Sequence, residues 1–122
     1  MVQSHVLLVV AEAARRTNWS KALTRAGFSV LAVADPNSAK SLLRIHGHTI
    51  RLVILGLALH GAEGLDFASQ LAALRPTQEI LYLPISPHSL LAEAIRCVKP
   101  EAVLPRPFSA SELVERVRRL AA

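Results

Sequence analysis

Aspartate is scarce in this chain: Asp35 and Asp66 are the only two in 122 residues. Any mechanism that clusters several aspartates at one site is excluded by count. Cysteine occurs once, at Cys97, so no internal disulfide can form, and the chain suits a reducing cytosol. Aromatic residues make up 4% of the sequence, and none is interleaved with a basic cluster in the manner of a single-strand nucleic-acid binder. No apolar run approaches the ~20 residues that cross a bilayer. No charged leader precedes a long apolar segment, so a secretory signal is not expected. The five histidines, His5, His46, His48, His60 and His88, are scattered. Their spacing does not converge three or four ligands on a metal, and neither a metal nor a cofactor is expected.

What is present is apolar bulk. Hydrophobic residues make up 52% of the chain, mainly Leu, Ala, Val and Ile. Residues 1–122 therefore suit one globular domain with a core of its own. The formal charge is +5, and 11 of the 14 basic residues are arginine. Such a balance leaves nucleic acid or another acidic partner open, while a solvated surface with a bias toward arginine is the reading the sequence favours.

The apolar runs recur at regular intervals. His5–Val10, Phe28–Val33, Leu52–Leu55, Ile80–Leu83 and Ala102–Leu104 are short and continuous, as expected of strands buried on both faces. Stretches of helical period separate them. Trp19, Ala22, Leu23 and Ala26 share one face, ended by Gly27. Asp35-Pro36 opens a second helix, with Ala39, Leu42, Leu43 and His46 on one side. Leu65, Ala68, Leu71, Ala72 and Leu74 form a third stripe that stops before Pro76. Leu91, Ala94, Ile95 and Val98 form a fourth. Ser109-Ala110-Ser111-Glu112 is a capping box, and it opens a last helix with Leu113, Val117 and Leu120 inward. Strands joined in sequence by helices run parallel with right-handed crossovers, which predicts a three-layer α/β/α sandwich. In open sheets of this kind, function gathers at the carboxyl ends of the strands.

Two segments at those ends carry a family likeness. Leu104-Pro105-Arg106-Pro107-Phe108, followed by Ser109 and Glu112-Leu113, is one. Gly56-Leu57-Ala58-Leu59-His60-Gly61-Ala62-Glu63-Gly64 is the other. With the alternation of elements, they make the whole chain resemble the CheY-like receiver domain of bacterial two-component response regulators. The resemblance implies a doubly wound, flavodoxin-like sheet of five parallel strands in order 2-1-3-4-5. It also implies phosphoryl transfer to a carboxylate assisted by magnesium. The residues at the matching positions do not suit that chemistry. The acidic pair falls on Ala11 and Glu12, and the phosphoacceptor on Gly56. The hydroxyl position falls on Pro84, the aromatic switch on Val103, and the lysine on Arg106. One reading has Arg106 pair with Glu12 across the gap at Gly56; the other leaves both in solvent.

The expected function is therefore that of a non-enzymatic pseudo-receiver in cytoplasmic phosphorelay signalling, with no bound cofactor. It would act as a phosphorylation-independent interaction or dimerisation module toward a kinase, an output domain or itself. The family's usual partner face would present Ser89, Glu93, Arg96, Lys99, Glu101, Glu112, Glu115 and Arg119. Two alternatives stand beside this reading. One is nucleic-acid binding by an arginine-rich face built from Arg15, Arg16 and Arg116, Arg118 and Arg119. The other is a small-ligand sensor using a vacated acidic pocket.

Overall fold

The computed structural model describes residues 5–57, 67, 69–71, 73–84, 102–104 and 108–121. Four strands form one parallel sheet: β1 (His5–Val9), β2 (Ser29–Val33), β3 (Ile50–Leu57) and β4 (Glu79–Pro84). Their order is β2-β1-β3-β4, as the sequence predicts. Of the predicted fifth strand the described residues are 102–104, where Val103 forms a parallel bridge with Tyr82 and the Leu104 N–H donates to the Tyr82 carbonyl at 3.0 Å. The run is only three residues long, and Pro105 behind it has no N–H to extend the ladder.

Alternation along the strands divides the core into two layers. Val6, Leu8 and Val10 of the first strand region face the same way as Leu52 and Ile54 of β3 and Leu81 and Leu83 of β4. This layer is closed by α1 (Ala13–Arg25) through Leu23, and by the C-terminal helix (Ala110–Ala121) through Leu113 and Val117. Leu7, Val9, Val53, Leu55, Ile80 and Tyr82 face the other way. That layer is closed by α2 (Pro36–His46) through Ala39 and Leu43, and by a helical segment within 67–74 through Phe67 and Leu71. The predicted fourth helix lies outside the described residues.

The helix ends follow from local chemistry. The Asp35 carboxylate accepts the Ser38 N–H at 2.8 Å and so satisfies one of the free donors at the start of α2. At the C-terminal helix the Glu112 N–H donates to Ser109 Oγ at 3.1 Å, and the Ser109 N–H reaches back to Glu112 at 3.4 Å. This is the reciprocal box read from the sequence. Gly27 follows α1 at φ +100°, a left-handed position that favours glycine. Gly47 ends α2 for a different reason. Its backbone is right-handed, but a β-carbon there would collide with the Leu43 carbonyl and the Arg75 guanidinium.

The 67–74 segment departs from the expected stripe. Phe67, which the stripe omitted, is buried, whereas Leu74 is 81% exposed. Phe67, Leu71 and Leu74 are spaced i, i+4, i+7 and share one helical face. The first two meet the sheet layer, and no described residue covers the third.

Candidate functional site at the carboxyl tip of the sheet

The first and third strands end side by side. Val9 pairs with Leu55 in register, and the Val10 N–H continues the ladder by donating to the Val33 carbonyl at 3.0 Å. One residue further along β3 lies Gly56, which pairs with Leu83 of β4 on its other side. Strand alternation puts Gly56 on the same face as Leu52 and Ile54, the face that α1 covers. A side chain at position 56 would thus point toward α1.

That space is occupied. A β-carbon on Gly56 would stand 2.9 Å from Val10 Cγ2, 3.4 Å from the Val9 carbonyl oxygen and 3.5 Å from Trp19 Cζ3. The Val10 methyl cannot swing aside cheaply, because a β-branched side chain is stiff about χ1. Trp19 packs in turn against Phe108, with ring centroids 5.5 Å apart and planes tilted by 39°. Phe108 immediately precedes the cap of the C-terminal helix. Three apolar side chains from three elements thus close the tip. A β-carbon at position 56 would crowd Val10 and touch Trp19, while positions 58–66 and 105–107, which the predicted pocket would also involve, lie outside the described residues. Trp19 was legible as a packing residue, but this particular role was not. The available signal was the even register of Leu52, Ile54 and Gly56 facing the one bulky aromatic of α1.

The polar groups around the tip are tied to one another. Glu12 stands at the N-cap of α1 but makes no side-chain cap bond. Its carboxylate instead pairs with Arg15 at 3.2 Å, while remaining 53% exposed. An exposed pair of this kind contributes little stability, yet it gives Glu12 a cationic neighbour. Arg106, the other candidate for that pairing, lies outside the described residues. Arg16 turns back over the end of β1. Its Nη1 donates to the Val10 carbonyl at 2.9 Å and to the Ala11 carbonyl at 3.3 Å. A fixed guanidinium therefore sits on carbonyl oxygens at the carboxyl end of the first strand. Ala11 is exposed beside it. Pro84 ends β4 opposite Leu57, and Val103 is half-buried at its bridge to Tyr82. Among the described residues no group of three His, Cys, Asp or Glu side chains is placed to hold a metal.

The predicted arginine-rich face is only partly assembled. Arg15 and Arg16 are engaged at the tip as above. Arg116 donates to the Val103 carbonyl at 2.8 Å, and Arg118 reaches the Ala26 carbonyl at 3.4 Å. These bonds tie the C-terminal helix to a strand and a turn, while Arg118 and Arg119 are exposed. Of the predicted partner face, Glu112, Glu115 and Arg119 are exposed on the C-terminal helix. They border a shallow cavity of about 290 Å³ with Leu104 at its base. Ser89, Glu93, Arg96, Lys99 and Glu101 lie outside the described residues.

No protein-family model matches the sequence, and no curated protein matches it. Solved structures do. A response regulator receiver domain from Clostridium thermocellum superposes with a TM-score of 0.81 at 20% identity, covering 97% of this chain and 94% of that one. A receiver protein from Sinorhizobium medicae gives 0.78 at 27% identity, over 98% and 94% of the two chains. A response regulator from Thermotoga maritima gives 0.78 at 22% identity, over 98% of each. The chain has the CheY-like receiver fold, a flavodoxin-like α/β sandwich. Among the described residues no helix is long and apolar enough to cross a membrane.

Proposed function

We propose that this chain is a pseudo-receiver: a signalling module that keeps the receiver architecture and acts through protein contacts, either with a kinase or output domain or with a second copy of itself, without accepting a phosphoryl group. The observation that carries the reading is the closed tip. Gly56 offers no carboxylate, and even a β-carbon there would crowd Val10 and touch Trp19. Phosphoryl transfer needs a nucleophile, a cation bridging the phosphate oxygens, and room for an in-line approach. Glu12 remains near the tip, but it is exposed and paired with Arg15. The Arg16 guanidinium lies on the carbonyls at the end of β1, so a positive charge is already built into that edge. The mixed charges of Glu112, Glu115 and Arg119 suit a steered protein contact. A module of this kind is not an enzyme and needs no cofactor.

The test is direct. The protein is incubated with magnesium and acetyl phosphate and followed by intact mass and by the fluorescence of Trp19, the sole tryptophan. The expected result is an unmodified mass and an unchanged emission spectrum, with partner binding or self-association equal in the presence and absence of the donor. A phosphoryl adduct, or a donor-dependent change in association, would overturn the reading.

A further inference from the structure

The face of the sheet opposite the closed tip carries a groove between α2 and the 67–74 segment. It is a cavity of about 270 Å³ with Leu43, Phe67, Leu71 and Leu74 on its apolar floor. Lys40, Arg44 and Arg75 stand around it, and no acidic residue lines it among the described residues. We infer that this groove is a docking site for an acidic amphipathic helix of a protein partner. The inference rests on the interaction-module reading and names the face and the chemistry it would use.

Three features point to that occupant. The first is the uncovered end of an apolar stripe. Phe67 and Leu71 are each 3% exposed, while Leu74 on the same helical face is 81% exposed. A single exposed leucine means little. This one extends a buried row into an open trough, where a further apolar side chain would be covered on both sides.

The second feature is charge. Lys40 and Arg44 are four residues apart on α2, both exposed, and neither has an ion-pair partner among the described residues. Like charges at this spacing repel, and a partner carboxylate lying between them would turn the repulsion into attraction. The third feature is preorganisation. Arg75 Nε donates to Gln78 at 3.1 Å, and its Nη2 donates to the Gly47 carbonyl. The charge at that end of the groove is therefore held in place before any partner arrives.

A trough between two helices takes a third helix by the usual ridge-and-groove packing, with anchors at i, i+3 or i+4 and i+7. A free acyl chain fits less well. It would leave most of its surface in water here, whereas small-ligand sites bury most of the ligand. A helix brings its own flank to cover Leu74 and carboxylates to meet the three cations.

The experiment uses the full chain and a displayed library of helical peptides. Leucine or phenylalanine is fixed at the anchor positions, and the flanks are randomised among Glu, Lys, Gln and Ala. The expected binders are enriched in Glu, and the amide shifts they cause cluster at residues 40–44 and 67–75. Leu74→Glu and the double change Lys40→Glu with Arg44→Glu each weaken binding about tenfold or more, and added salt weakens the wild-type complex. All three residues are exposed, and both variants are expected to melt like the parent. The inference is overturned if no peptide binds, if the flanks select Lys or show no preference, or if neither variant changes the affinity. Shifts that map instead to Glu112, Glu115 and Arg119 would also overturn it while leaving the interaction module intact. A phosphoryl adduct in the separate donor experiment would remove the module reading itself.

Discussion

The two faces of this sheet have resolved the same problem in opposite ways. On the α1 face, the carboxyl tip could have been a polar cleft. Its described side chains are instead apolar at Val10, Trp19 and Phe108, and the charges of Glu12, Arg15 and Arg16 are tied to each other or to carbonyls. On the α2 face, an apolar floor runs out to Leu74 uncovered, and two cations on the rim lack ion-pair partners among the described residues. At the tip the described side chains pack on one another, whereas at the groove an apolar row stays open to water. The contrast indicates where this molecule has free energy left to give to a partner. The described groups at the tip have little, because they are already paired or packed. The groove has apolar area and charge still facing water.

The sharpest way to break this contrast is to restore the missing side chain. Gly56→Asp would push a β-carbon to 2.9 Å from Val10 Cγ2 and set a carboxylate beside Trp19. Overpacking and desolvation together are expected to destabilise the fold by about 4 kcal/mol, measured by urea unfolding. Val10→Ala in that background should recover part of the loss, which a double-mutant cycle would read as coupling. Neither variant should take up a phosphoryl group from acetyl phosphate. A Gly56→Asp protein as stable as the parent would show that the tip is not closed in solution.

The next pair compares neighbours on the open face. Leu71→Ala removes a side chain that is 3% exposed and should cost about 3 kcal/mol. Leu74→Ala, one turn further on, removes one that is 81% exposed and should change stability by less than about 0.5 kcal/mol. Equal effects would mean that something covers Leu74 in the free protein. A smaller effect belongs to the cap of α2, the helix that supplies the groove's other wall. Asp35→Ala loses the 2.8 Å bond to the Ser38 N–H and should cost about 1 kcal/mol. It should also loosen peptide binding in the groove, while leaving Trp19 fluorescence at the tip unchanged.

Much of the architecture was legible in the residues. Continuous apolar runs marked β1, β2, β3 and β4, the family resemblance implied their order, and Asp35-Pro36 and the Ser109–Glu112 box marked two helix starts that the structure reproduces. The fifth run, Ala102–Leu104, was legible as a strand beside β4, and its parallel pairing is seen in the bridge between Val103 and Tyr82. The character of the site was legible only as a set of losses. Gly56 told what was missing but not what had replaced it. Filling depends on the packing of Val10 and Trp19, which lie 46 and 37 positions away in sequence (56 − 10 and 56 − 19). The groove escaped sequence reading for the converse reason. Periodicity assigns Leu74 correctly to its stripe, but it cannot say where along a helix the neighbouring elements stop covering it.

The faintest effect separates the two layers by their response to alkali. Among the described residues the buried cluster beneath α1 is wholly aliphatic, whereas the cluster on the groove side contains Tyr82, the only tyrosine in the chain. Burial raises the Tyr82 phenol above its ordinary value of 10.0, because the phenolate loses water that the neutral form needs less. In the unfolded chain the phenol titrates at the ordinary value. Below that pH both states hold the proton, and the stability contribution is fully present. It is lost as the pH rises through the raised folded value, since the unfolded chain then gives up its proton more readily. Stability should therefore fall in strongly alkaline solution, and Tyr82→Phe should remove that part of the fall while sparing the rest. Phenolate absorbance in the native protein should lag behind that of free tyrosine. A native Tyr82 that ionises at the ordinary value would mean that water reaches the floor of the groove down to β4, so that the face is open through its core layer and not merely at Leu74.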